Sequence, residues 1–395
     1  MSGTPLCDEL LKGIAVVIDD QINDSDSDIA KLIEDIEEKH IPCVKYSELP
    51  DISVVESFSD ILFIILDWKF DMADGVSGSQ YQVEDNIDFI RHVRKNCFVP
   101  IFIFTNKILD DLEEDLRSHN AADIVGDSMI FLKNKSELIG GKLFDEIEEW
   151  LKSTPSAYVI KKWAMEYKKA KNSMFLDLYS KHSSWPSIFW KRFDTDGTNP
   201  SYELREMLMK NLLCRCSGCE FDKEIVCPPG TVEYSGEDYL SVWGGSYFID
   251  EKHLDSKSIM PGDIFFKNGK YLINIKAECD CVLRDNSNPQ LYLLEGAVCN
   301  GGMLESKKAL FKKDKKYHIN TQESSFLCIG ISDNKQILFN FKSLSIKTWR
   351  SLKKYRIGRL TQPFIGSIQQ KYATYLHRIG LPPTPDEICK LLIGK

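Results

Sequence analysis

No stretch of the chain holds the roughly 20 consecutive apolar residues of a membrane-spanning helix, so contact with a bilayer is not expected. A basic flank is also missing from the first residues, which carry Asp8 and Glu9 and do not resemble a secretory signal. The expected location is cytoplasmic, with the twelve cysteines kept as thiols. Arginine is absent from residues 1–80, where eighteen Asp or Glu face five Lys. Acids are absent from residues 341–380, which hold nine Lys or Arg. The net charge of −9 conceals this asymmetry. Either both regions are solvated faces, or the basic segment meets nucleic-acid phosphates or docks on the acidic region of its own or a partner chain.

What is present is enough for two cores: 395 residues, 43% of them hydrophobic. The organising stretch is Ser59 to Trp68, a run of β-formers that stops at Asp67. Such a run suits a strand buried on both faces of a parallel sheet, with Asp67 at the carboxyl edge where ligands bind. Three other runs also end in polar groups: Gly13 to Ile18 at Asp19 and Asp20, Val99 to Phe104 at Thr105, and Met129 to Leu132 at Lys133. Brought together at one edge, the carboxylates form a hard oxygen site suited to Mg²⁺, and the hydroxyl and ammonium can hold a phosphoryl group.

Five polar groups in this order resemble those of a response-regulator receiver domain, over the first 150 or so residues. The resemblance implies that Asp19 and Asp20 bind Mg²⁺ together with Asp67, that Asp67 accepts phosphate from a histidine kinase, and that Thr105 and Lys133 contact it. Asn134 follows Lys133 where receivers usually have proline. The segment from Trp68 to about Glu84 is longer than a usual strand-to-helix loop and reads as a lid over Asp67.

Helical spacing over Asp28–Glu38, Asp85–Lys95, Leu109–Ser118 and Leu143–Leu151, with a second strand near Ile41–Tyr46, completes a βα alternation. The expected fold is α/β: a receiver-like (flavodoxin-like) five-stranded parallel sheet over 1–153, a helical connector over 154–213, a β-rich domain with a small antiparallel barrel over 214–345, and a basic helical segment over 346–395. In the connector, Val159, Trp163, Tyr167, Ala170, Met174 and Leu178 recur at helical spacing across Ala157–Lys181. That stripe reads as a core helix or as the seam of a homodimer. Trp185 to Pro200 reads as irregular, and its DxDG lacks the acid a calcium loop needs at the twelfth position. Glu203–Leu213 reads as a helix. In the third domain, short runs including Leu240–Trp243, Ile264–Phe266, Tyr271–Ile275 and Phe326–Ile331 read as strands, and Asn268-Gly269 signals a hairpin.

Cys214, Cys216, Cys219 and Cys227 have spacings that allow a structural Zn²⁺ site, although the double CxxC of a zinc ribbon is missing; buried thiols are the other reading. The phrase Met260-Pro261-Gly262-Asp263, with Glu278-Cys279-Asp280-Cys281 and the ending Arg356-Ile357-Gly358-Arg359-Leu360, resembles a small-barrel module of bacterial phage-defence loci. Together the two halves resemble the phosphate-buffering second receiver proteins of Detocs-type systems. The function this implies is phosphoryl acceptance from a histidine kinase, as buffer or regulator. Two alternatives stay open: a nucleic-acid-binding regulator using the basic segment, and an effector enzyme using Cys279 as nucleophile.

Overall fold

The computed structural model describes residues 5–58, 61–68, 79–105, 109–216, 218–230, 233–283, 287–302, 310–313, 316–319, 324–378 and 383–393. The chain divides into two compact units, residues 1–183 with 208–231 and residues 184–207 with 232–395. Among the described residues, no helix is long and apolar enough to cross a membrane.

In the first unit, β1 (Ile14–Ile18), β2 (Cys43–Tyr46), β3 (Ile61–Asp67), β4 (Ile101–Thr105) and β5 (Ile130–Asn134) form one sheet in the order 2-1-3-4-5. Every pairing is parallel. Side chains alternate across a strand. Phe63 and Ile65 of β3 therefore join a core with helices Asp28–Glu38 and Lys142–Ser153, whereas Ile64 and Leu66 join one with helices Ser79–Asn96 and Leu109–Ser118. The strand order reverses between β1 and β3, and this switch point opens a crevice at their carboxyl ends. Helix Asp28–Glu38 starts where the sequence places it, because the Ser27 hydroxyl accepts a hydrogen bond from Ala30 N at 3.2 Å.

Helix Pro155–Lys181 continues from this unit, with proline in its first turn, where an N–H would have no helical partner. Its apolar stripe splits. Ala157 lies in the sheet's core, and Ala170 and Met174 pack with Leu212 and Cys216, while Trp163 and Tyr167 are exposed. The later part of the stripe is thus a packing face within the unit, and Trp185–Thr195, which reads as irregular in the sequence, is a helix.

The second unit is built on a seven-stranded sheet of β6 (Phe248–Asp250), β7 (Asp263–Lys267), β8 (Lys270–Asn274), β9 (Gln290–Val298), β12 (Ser325–Ile331), β13 (Lys335–Thr348) and β14 (Arg356–Leu360). Its order is 12-13-9-8-7-14-6 and every pairing is antiparallel. The short hairpin β10 (Leu310–Lys313) and β11 (Lys316–Ile319) is separate. Asn268 and Gly269, both with positive φ, make the turn between β7 and β8. Among the described residues the expected barrel is not closed: β12 and β6 are edges, and β6 is only three residues long.

Helix Gly236–Tyr247 contacts both edge strands. It contains Leu240–Trp243, an apolar run read as a strand from sequence. The reciprocal Ser235–Asp238 capping box decides for helix. Gly244 comes so close to Gly330 of β12 that a Cβ on it would stand 2.3 Å from the Gly330 carbonyl oxygen. The Tyr247 hydroxyl donates to the Ile329 carbonyl beside it. The basic ending is likewise not helical throughout: it holds a helical turn Trp349–Leu352, strand β14, and helices Phe364–Leu376 and Asp386–Ile393.

Candidate functional site

The acidic residues expected at the crevice converge there. Asp19 leaves β1 with its N–H donated to Tyr46 O and its Oδ1 accepting from Gln21 N, both at 2.9 Å. Asp20 opens the short helical turn Asp20–Asn23, and Asp67 is the last residue of β3. One oxygen from each of the three carboxylates lies within 4.8 Å of the others. Asp19 is fully buried and Asp67 is 4% exposed.

Among the described residues, Lys135 pairs with two of them, Asp19 and Asp67. Its Nζ stands 2.7 Å from Asp19 Oδ2 and 3.2 Å from Asp67 Oδ2, with the side chain 2% exposed. Burial pushes the Asp67 carboxyl up to about 7; Lys135 opposes the shift, and Asp19 and Asp20 reinforce it. Burial disfavours the Lys135 ammonium, but attraction to Asp67 and Asp19 outweighs it and holds the amine above its ordinary value.

Lys133, assigned to this role from sequence, lies elsewhere: its Nζ pairs with Glu146 at 2.9 Å and sits over the Phe131 ring. The correction follows from alternation. Residues 131 and 133 share the face covered by helix Lys142–Ser153, and β5 runs on to Asn134, so only a residue past the strand end can cross its edge. Asn134 makes that turn, its Oδ1 accepting from Ser136 N at 3.0 Å. Counting the strand one turn further would have pointed to Lys135. Thr105 ends β4 in register with Asn134, and its side chain lies outside the described residues. The lid read over Trp68–Glu84 falls outside them at 69–78, and from Ser79 the chain is helical.

Three carboxylates thus gather in a largely buried place. That donor set, all oxygen and partly open at Asp20, suits a hard divalent cation. The cysteines offer no such set. Among the described residues, no cluster of three or more ligand atoms includes a thiol; Cys216 is buried in an apolar contact, and Cys214 and Cys227 are exposed.

The motifs of the second unit have a structural explanation. Asp263 of the Pro-Gly-Asp turn is fully buried, and its Oδ1 accepts from Arg359 Nε at 2.6 Å. Its Oδ2 accepts from Met260 N at 3.0 Å and lies 3.5 Å from Arg356 Nη1. The Arg356 guanidinium also donates to Glu251 at 3.1 Å and to Asp255 O at 2.8 Å. Gly262, with φ +91°, approaches Leu360 so closely that a Cβ would meet its carbonyl oxygen at 2.2 Å. Two arginines of the basic segment are therefore committed to ion pairs inside the unit. Cys279 is exposed on a short turn, whereas Cys281 is buried and accepts from Asn274 Nδ2 at 3.4 Å. No family model matches the chain, and no curated protein matches it.

Proposed function

We propose that the first unit is a receiver with a flavodoxin-like sheet, and that Asp67 accepts a phosphoryl group from the phosphohistidine of a histidine kinase. The observation that carries this reading is the cluster of Asp19, Asp20 and Asp67, with the buried Lys135 paired to Asp19 and Asp67, at the switch point of a 2-1-3-4-5 parallel sheet. In the transfer, an Asp67 oxygen attacks phosphorus, the new O–P bond forms as the P–N bond breaks, and the imidazole leaves and takes up a proton. Asp19, Asp20 and Asp67 would hold Mg²⁺, which when bound supplies neutralisation of charge on the transferring group. Lys135, 3.2 Å from Asp67 Oδ2, orients that carboxylate and would pair with the incoming phosphoryl oxygens.

The test is incubation with a phosphorylated histidine kinase or with acetyl phosphate and Mg²⁺. The expected product is an acid-stable, base-labile phosphate present on wild type and absent from Asp67→Asn. Equal labelling of both would overturn the reading. In cells, a buffering role makes Asp67→Asn release a neighbouring toxic effector without infection, whereas an activating role makes the same change abolish defence.

A further inference from the structure

Asn86 occupies a place where an apolar residue is expected. It lies on helix Ser79–Asn96 between Val83 and Ile90, in the stripe that continues through Ile87 and Val93 into the core, and none of its surface is exposed. A buried amide in such a stripe is costly unless it is hydrogen-bonded. Asn86 makes one bond: its Nδ2 donates to the carbonyl oxygen of Trp68 at 2.9 Å. Among the described residues its Oδ1 has no partner, and neither has the buried indole Nε1 of Trp68. A side chain selected only for stability would not sit here with half of its amide unsatisfied.

The residue it holds directly follows Asp67. Trp68 N donates to Phe104 O at 3.2 Å, so the backbone of residue 68 is gripped on one side by β4 and on the other by Asn86. We propose that Asn86 is a positioning residue for the acidic site: by fixing the Trp68 carbonyl, it sets the direction in which the chain leaves Asp67 and so the orientation of the Asp67 carboxylate toward Asp19, Asp20 and Lys135. This rests on the reading of the site as a Mg²⁺-dependent phosphoryl acceptor. Loss of the bond leaves the core intact, because an apolar side chain of similar volume fits the stripe, but it frees the peptide after the acceptor.

The experiment compares wild type, Asn86→Leu and Asn86→Gln by three readouts: melting temperature without metal, Mg²⁺ affinity from tryptophan fluorescence, and the rate of labelling by acetyl phosphate. Expected for Asn86→Leu is a melting temperature equal to or above wild type, with Mg²⁺ affinity and labelling rate each lowered about tenfold. Asn86→Gln, which keeps an amide donor, should recover most of both. Should Asn86→Leu fail to fold, Asn86→Ser carries the same comparison against Asn86→Gln. A folded Asn86→Leu or Asn86→Ser that binds Mg²⁺ and labels as wild type does would overturn the role of Asn86 and leave the site's reading standing. A wild type that neither binds Mg²⁺ nor labels would overturn both.

Discussion

Each unit buries a carboxylate against a basic side chain, and the two arrangements differ in how many carboxylates they gather. In the second unit, Asp263 and Glu251 face Arg356 and Arg359, two acids to two bases, and both oxygens of Asp263 accept hydrogen bonds. In the first, Lys135 stands against Asp19 and Asp67, and Asp20 completes a cluster of three carboxylates. The closed network holds three segments of the chain together through paired charges. The open one gathers three carboxylate oxygens into a donor set that suits a divalent ion. Burial of a charge does not by itself distinguish the two; the donor set that the gathered carboxylates present does.

Breaking the closed network should have the largest effect. Asp263→Ala leaves two guanidinium groups without their buried partner and should cost about 3–5 kcal/mol, read as an earlier urea transition of the second unit. Replacing Asp263, Arg356 and Arg359 together with apolar residues should recover much of that loss.

At the open site, removing an acid should have the opposite sign. The Asp67 pKa is raised from 3.8 to about 7, so between those values the folded protein holds a proton that the unfolded chain has lost. Stability therefore falls as pH rises through that window, and the penalty is complete above pH 7. Asp67→Asn in EDTA should gain roughly 1–3 kcal/mol at pH 8 and nothing below pH 4, as measured by urea midpoints across pH.

Adding Mg²⁺ should sharpen the contrast further. At ten times its Kd it stabilises by about 1.4 kcal/mol through mass action, which should appear as a higher melting temperature for the first unit only. Asp20→Ala should abolish the shift. The smallest effect belongs to Lys133→Ala, which removes a half-exposed pair with Glu146 and should change stability by less than about 0.5 kcal/mol. Lys135→Ala should alter both the metal response and labelling, so the pair of lysines separates surface from site.

Much of this was legible in the sequence because parallel strands buried on both faces leave long apolar runs with polar ends. Asp19, Asp20 and Asp67 were found that way, as was the Asn268-Gly269 turn. Lys135 was missed because where an apolar run ends does not fix where a strand ends: β5 continues through Lys133 and Asn134, whose polarity resembles a loop. Asn86 was missed because a lone amide in a helical stripe looks like a surface position until its partner, eighteen residues earlier, is seen. In the second unit, Leu240–Trp243 misled because a short apolar run suits either structure, and Arg356 and Arg359 read as surface charge because their partners lie about a hundred residues away.

The contact between Gly244 and Gly330 has a consequence for solubility. Strand β12 ends the large sheet, and an uncovered edge of that kind is a template on which another chain can add a strand. Here helix Gly236–Tyr247 lies against β12, with Tyr247 occupying the carbonyl of Ile329, and it can come that near only because neither glycine carries a side chain. Even an alanine at either position would push the helix off. The damage would then show less as lost stability than as molecules joining edge to edge into aggregates.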